Sequence, residues 1–144
     1  MLATQSQLSA ASILFVVCVA IIDWRTHRIP NLLCAVAAII GFGSQVWMHG
    51  EAGLLAALGG SAVGFAIFLP FYVLKAFGAG DVKAMATVGA FLGAQTTLLA
   101  VGMTLMAGAV LGLAVLLLDS ASRKRFPYGI AIACGTTAAL IVTG

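Results

Sequence analysis

The chain has 144 residues, 62% of them hydrophobic and 8% charged, with a formal net charge of +3 and a mean hydropathy of +1.17. A soluble domain carries about a quarter charged residues, so this chain cannot cover a water-facing surface and reads as an integral membrane protein. Its seven Lys and Arg residues fall in short clusters between apolar runs, which places them at membrane borders and argues against a nucleic-acid partner.

The first apolar run, residues 7–22, stops at Asp23-Trp24-Arg25-Thr26-His27-Arg28. No basic residue precedes it and no small-residue cleavage site follows, so it is expected to be a retained helix rather than a signal peptide. Pro30 and Asn31 open a second run that reaches residue 47; proline suits a helix start because its missing N–H would have had no partner there. Met48-His49-Gly50-Glu51 reads as a tight polar turn, and residues 52–74 as a third span that Pro70 is expected to kink. The stretch Lys75-Ala76-Phe77-Gly78-Ala79-Gly80-Asp81-Val82-Lys83 is a glycine-rich loop ending in an acid.

Residues 84–118 carry no charge. A helix of about 35 residues is ~52 Å long, too long for a hydrocarbon core of ~30 Å. A turn is therefore expected at Gly93-Ala94-Gln95-Thr96-Thr97, giving spans at 81–93 and 97–118. Asp119 and the cluster Arg123-Lys124-Arg125 precede a last span at 127–142. The expected fold is all-α: a polytopic membrane bundle of about six transmembrane helices, with residues 1–144 forming one domain. Gly60 with Gly64, Gly89 with Gly93 and Gly108 with Gly112 stand at the spacing that lets helices approach closely in lipid.

Every Lys and Arg lies in the first, third or fifth loop of this arrangement. By the positive-inside rule that side is cytoplasmic and both termini face out. Asp23 and Asp81 then share the cytoplasmic face. The fourth span is short, about 13 residues or ~20 Å, so Asp81 and the irregular backbone at Gly78 and Gly80 lie below the membrane surface. Such backbone is tolerated there only beside protein or a water-filled cavity.

Two neighbouring carboxylates cannot both ionise easily and tend to share a proton. The ionised one can activate water while the protonated one donates to the carbonyl under attack. Gly78 and Gly80 would let backbone N–H groups and a substrate strand reach the acid, and would permit positive φ. The structural alternative is that Asp23 and Asp81 pair with Arg25, Arg28 and Lys83 at the interface. Asn31 either hydrogen-bonds on the Asp23 side or caps a helix; Lys83 either steadies an ionised Asp81 or snorkels to the headgroups. His27 and His49 fall on opposite faces and read as solvated, and Arg123, Lys124 and Arg125 as topology determinants. Cys18, Cys34 and Cys134 lie in apolar runs without a Cys-x-x-Cys, so no metal site and no cofactor is expected.

The residues from Asp23 to Asn31, the stretch Gly78-Ala-Gly-Asp-Val-Lys83 with Gly89 and Gly93 beyond it, and Phe126-Pro127-Tyr128-Gly129-Ile130-Ala131 resemble the type IV prepilin peptidase family, polytopic aspartic proteases of the Gly-x-Gly-Asp type. The resemblance covers roughly residues 8–140. It maps the family's catalytic aspartates onto Asp23 and Asp81. It implies cleavage of the basic leader from prepilin-like precursors at the cytoplasmic face of the bacterial inner membrane. Larger members carry a Cys-x-x-Cys region and also methylate the new N-terminus; this chain resembles the short, peptidase-only branch associated with Tad (Flp) pili. Presenilin-like proteases fit less well, since Ile22 precedes Asp23 where they carry Tyr, and the late motif here is Pro-Tyr-Gly rather than Pro-Ala-Leu. A rhomboid-like serine protease is weaker still, because Gly59-Gly60-Ser61-Ala62 lacks the second glycine of Gly-x-Ser-Gly. A non-enzymatic scaffold or a small proton-coupled transporter of a secretion apparatus is the alternative from another class. Helix ends favour Asp81, opening a helix, as the ionised member of the pair, and Asp23, closing one, as the protonated member.

Overall fold

The computed structural model describes residues 2–118 and 128–143. They form four helices, α1 (Leu2–Thr26), α2 (Asn31–Val73), α3 (Ala79–Leu118) and α4 (Tyr128–Thr143), with no strand among the described residues. Three stretches, Ser6–Thr26, Asn31–Val73 and Ala79–Ala114, are long and apolar enough to cross a membrane, and Tyr128–Thr143 is apolar but shorter. The expectation of an all-α bundle holds; the described residues form four helices rather than six separate ones, two of them broken inside, at Gly50 and Gly93. Asp119 and the cluster at 123–125 lie outside the described residues.

The count differs because two expected loops are single-residue breaks. A straight helix of the length of α2 would reach ~65 Å, about twice the hydrocarbon core. It bends at Gly50, whose φ of 58° and ψ of −134° are the only non-helical pair within it. A Cβ on Gly53 would collide with the Gln45 carbonyl, eight residues earlier, whereas eight residues of straight helix span ~12 Å. The chain has folded back on itself. α3 breaks in the same way at Gly93, with φ 74° and ψ 172°. These dihedrals suit glycine and are closed to side chains, so each reversal takes one residue instead of a loop. Helical φ/ψ continues through Pro70 to Val73.

Contacts give the directions. Thr87 approaches the Cys34 carbonyl at 3.4 Å and Gln45 reaches Phe91, so the first half of α2 runs parallel to the first half of α3. Gly60 meets Gly89 and Gly64 meets Met85, so the second half runs antiparallel to the same stretch. Beyond Gly93, Thr104 packs on Gly135 and Gly108 on Tyr128, antiparallel to α4. Phe15 of α1 stacks on Phe91 with centroids 6.4 Å apart. The end of α1, the end of α2, the start of α3 and the start of α4 therefore gather at one end of the bundle. Arg25, Arg28, Lys75 and Lys83 lie at that end, and Glu51 at the other.

The first half of α3 is the central element. Val82, Ala84, Met85, Val88, Ala90 and Phe91 are buried, with Asp81 at its mouth. A helix enclosed on all sides must be apolar all round, which is why this stretch reads as an uncharged run. The outer faces are apolar too, with Leu32, Ile39, Trp47 and Ile141 among the exposed side chains. That suits lipid and no water-facing surface.

The break at Gly93 deprives carbonyls of their helical donors, and Gln45 supplies one. Its buried Nε2 donates to the Phe91 carbonyl at 2.7 Å, and the Thr97 hydroxyl donates to the Gly93 carbonyl at 2.6 Å. Gln45→Leu leaves that buried carbonyl unmatched and is expected to destabilise the fold by about 1–3 kcal/mol, read as an earlier thermal transition in detergent; an unchanged transition would show that Gln45 does not secure the break.

Candidate active site

Each helix end at the charged end of the bundle is finished by local chemistry. His27 closes α1 with φ +50°, its N–H donating to the Asp23 carbonyl at 2.8 Å. Lys75 follows α2 with φ +59°; the N–H groups of Lys75 and Ala76 donate to the Tyr72 and Phe71 carbonyls, each at 2.9 Å. Both are left-handed C-terminal caps, which bond otherwise unmatched carbonyls. At the start of α3 the Asp81 N–H donates to the Gly78 carbonyl at 3.1 Å, and the Gly78 N–H donates to Asp81 Oδ2 at 2.8 Å. The Asp81 side chain thus makes the acidic half of a capping box, while Gly78, without a side chain, offers only its backbone carbonyl in return.

Asp23 comes from the last turn of α1 and reaches α4. The Gly129 N–H donates to Asp23 Oδ2 at 2.8 Å in a buried bond. Asp23 and Asp81 are 6% and 8% exposed, and both line one cavity of about 230 Å³ with His27, Lys75, Ala76, Phe77, Gly78 and Tyr128. Aromatic rings build one wall: Phe77 lies 4.1 Å from Tyr128, 5.0 Å from Phe71 and 5.1 Å from Phe68, centroid to centroid. A second hollow of about 340 Å³, lined by Ala20, Ile21, Trp24, Arg25 and Ile130, is larger and holds neither acid.

The two acids that the sequence singled out are thus brought to one cavity, and Gly78 joins them through its N–H. The other expected participants stand elsewhere. Gly80 is the floor for Ile29, whose Cβ would lie 2.9 Å from a Cβ placed there. Neither Gly78 nor Gly80 is among the glycines at positive φ, so the conformational freedom expected of them is not used. Lys83 Nζ donates to Asn31 Oδ1 at 2.9 Å on the exposed surface, and neither residue lines the cavity. They tie the start of α2 to α3. The donor to Asp23 is a backbone N–H, not Arg25 or Arg28.

Helix ends act on Asp23 from two directions. Asp23 closes α1, but its carboxylate accepts an N–H from the first turn of α4. Each acid therefore meets the N-terminal, positive end of a helix, and Asp23 alone also stands at the C-terminal end of one, α1. Reading the sequence missed His27, Lys75, Phe77 and Tyr128. His27 and Lys75 read as loop residues ending apolar runs, and only the Pro-Tyr-Gly segment pointed toward Tyr128.

The profile of the type IV leader peptidase family matches residues 10–117 of the chain. No curated protein and no solved structure matches it.

Proposed function

Because the chain belongs to the type IV leader peptidase family, we propose that this peptidase is a membrane-embedded aspartic endopeptidase with Asp23 and Asp81 as its catalytic pair. Its substrates would be prepilin-type precursors, of the Flp kind, whose basic leader it removes. The observation that carries this reading is the placement of two buried carboxylates from distant parts of the chain on one cavity. Four cations at the same end (Arg25, Arg28, Lys75 and Lys83) favour a cytoplasmic orientation of that end in the inner membrane.

In the proposed reaction one carboxylate removes a proton from a water molecule, whose oxygen adds to the scissile carbonyl carbon. The other, protonated, carboxyl gives its proton to the carbonyl oxygen. The tetrahedral intermediate collapses when the first carboxyl passes the water-derived proton to the amide nitrogen, the C–N bond breaks, and the second carboxylate takes its proton back from the intermediate's hydroxyl. The Gly78 and Gly129 N–H groups each hold one carboxylate oxygen in place, which orients the two acids for the reaction. The aromatic wall of Phe77 and Tyr128 excludes water from one flank of the peptide, which strengthens charge interactions inside.

The test is cleavage. Co-expression with a candidate prepilin should shorten the precursor by its leader, seen by mass spectrometry of the membrane fraction; an intact precursor across a panel of such substrates would contradict the reading. The geometry adds a prediction at Gly129. A Cβ there would lie 2.9 Å from Asp23 Cβ and 3.0 Å from its Oδ2, so Gly129→Ala must displace the acid. Misplacement by about 1 Å costs on the order of 100-fold in rate. The variant is expected to accumulate and to cut about 100-fold more slowly; wild-type rates would show that the Gly129 contact does not position Asp23.

A further inference from the structure

Among the described residues, the non-glycine positions at positive φ are His27 and Lys75. Each ends a helix in a conformation that glycine adopts without strain. Both also line the cavity that holds the two acids. Each side chain is exposed at the mouth, and neither enters a hydrogen bond or ion pair with a described residue. The acids, for their part, take backbone N–H donors from Gly78 and Gly129. An ammonium and an imidazole, the latter an N–H donor in either protonation state, are thus held open on a cavity whose other charged groups are Asp23 and Asp81, with the Tyr128 hydroxyl as the remaining titratable group.

We propose that Lys75 and His27 form a binding site for a carboxylate of the peptide in the cavity. The proposal rests on the peptidase reading. A third carboxylate beside Asp23 and Asp81 would be repelled unless a cation met it. Hydrolysis makes such a group: water contributes hydroxyl to the acyl carbon and hydrogen to the amine, and the acyl half becomes a carboxylic acid that ionises at neutral pH. An acidic side chain of the precursor next to the scissile bond presents the same chemistry. Charge-assisted hydrogen bonds from Lys75 and His27 suit either source.

The two sources are separated by two arms on the full chain in lipid nanodiscs, using wild type, Lys75→Gly and His27→Gly. Glycine is compatible with both left-handed caps, so the variants are expected to keep the wild-type thermal transition. In the first arm a fluorescent leader peptide with a free C-terminal carboxylate is compared with its C-terminal amide by anisotropy. In the second, the precursor's acidic residues beside the scissile bond are replaced by their amides and KM is measured. Wild type is expected to prefer the free acid by about tenfold, with the preference lost in Lys75→Gly and reduced in His27→Gly; this identifies the carboxylate that hydrolysis creates. A KM rise of about tenfold for the neutralised precursor with wild type, absent with the variants, identifies the side chain instead. Discrimination in neither arm, or equal discrimination by wild type and both variants, overturns the proposal. Cleavage is scored in the same samples. A chain that cuts but does not discriminate overturns the carboxylate site alone, and one that never cuts overturns the peptidase reading beneath it.

Discussion

Asp23→Asn and Asp81→Asn are each expected to lower leader cleavage by about 10²–10⁴-fold or more, the range for losing a positioned acid or base, while the protein accumulates normally. The two halves of that expectation have separate grounds. Asparagine keeps a carbonyl oxygen that can accept the Gly129 or Gly78 N–H, each now donating at 2.8 Å, so the buried donor stays matched and the helix start stays capped. It cannot take a proton from water or pass one to the scissile carbonyl. Cleavage in membranes together with a thermal transition in detergent separates loss of chemistry from loss of fold. Near wild-type cleavage by either variant would remove that acid from the mechanism.

Gly60→Ala and Gly89→Ala are expected to be strongly damaging despite adding only a methyl group. A Cβ on Gly60 would collide with the Gly89 carbonyl, and a Cβ on Gly89 with the Gly60 carbonyl. Both obstacles are backbone, so no rotamer change relieves them and the second half of α2 must move away from α3. Overpacking a side-chain core costs about 1–3 kcal/mol; backbone against backbone is expected to exceed ~3 kcal/mol, enough to deplete a marginally stable protein. Gly43→Ala and Gly102→Ala are controls, since nothing lies within 4 Å of a Cβ at either. The measurement is the yield and thermal transition of monodisperse protein. Equal behaviour of Gly60→Ala and Gly43→Ala would show that the helices are not in backbone contact.

Much of this was legible because lipid leaves few options. The four described cations cluster at one end, and the two acids sit where apolar runs begin or stop, so the shared face of Asp23 and Asp81 was legible from charge, while charge alone left pairing with Arg25, Arg28 and Lys83 open. The reversals at Gly50 and Gly93 fell within stretches read as turns, but those stretches looked like loops. One glycine at positive φ turns the chain while its neighbours stay helical, and polarity does not distinguish that from a loop. The partners of the acids were hidden for a different reason. The Gly129 N–H is a backbone donor from a helix distant in sequence, and no residue pattern announces it. His27 and Lys75 carried a signal of the wrong kind: cations at the ends of apolar runs are read as topology, and only their φ values and the shared cavity mark them out. Lys83 and Asn31 were near enough in pattern to be drawn into the site, yet Lys83, two residues beyond Asp81 on α3, projects from a different face of the helix and bonds Asn31 instead.

The central claim is that Asp23 and Asp81 act as one unit, and a double-mutant cycle tests it most directly. Residual single-turnover cleavage of a prepilin is measured for wild type, Asp23→Asn, Asp81→Asn and the double variant in the same membranes. Residues that work as a unit are strongly non-additive. The double variant is therefore expected to cut no more slowly than the slower single variant, within about threefold. Losses that multiply, so that the double variant falls by the product of the two single effects, would show two independent acids and contradict the shared dyad.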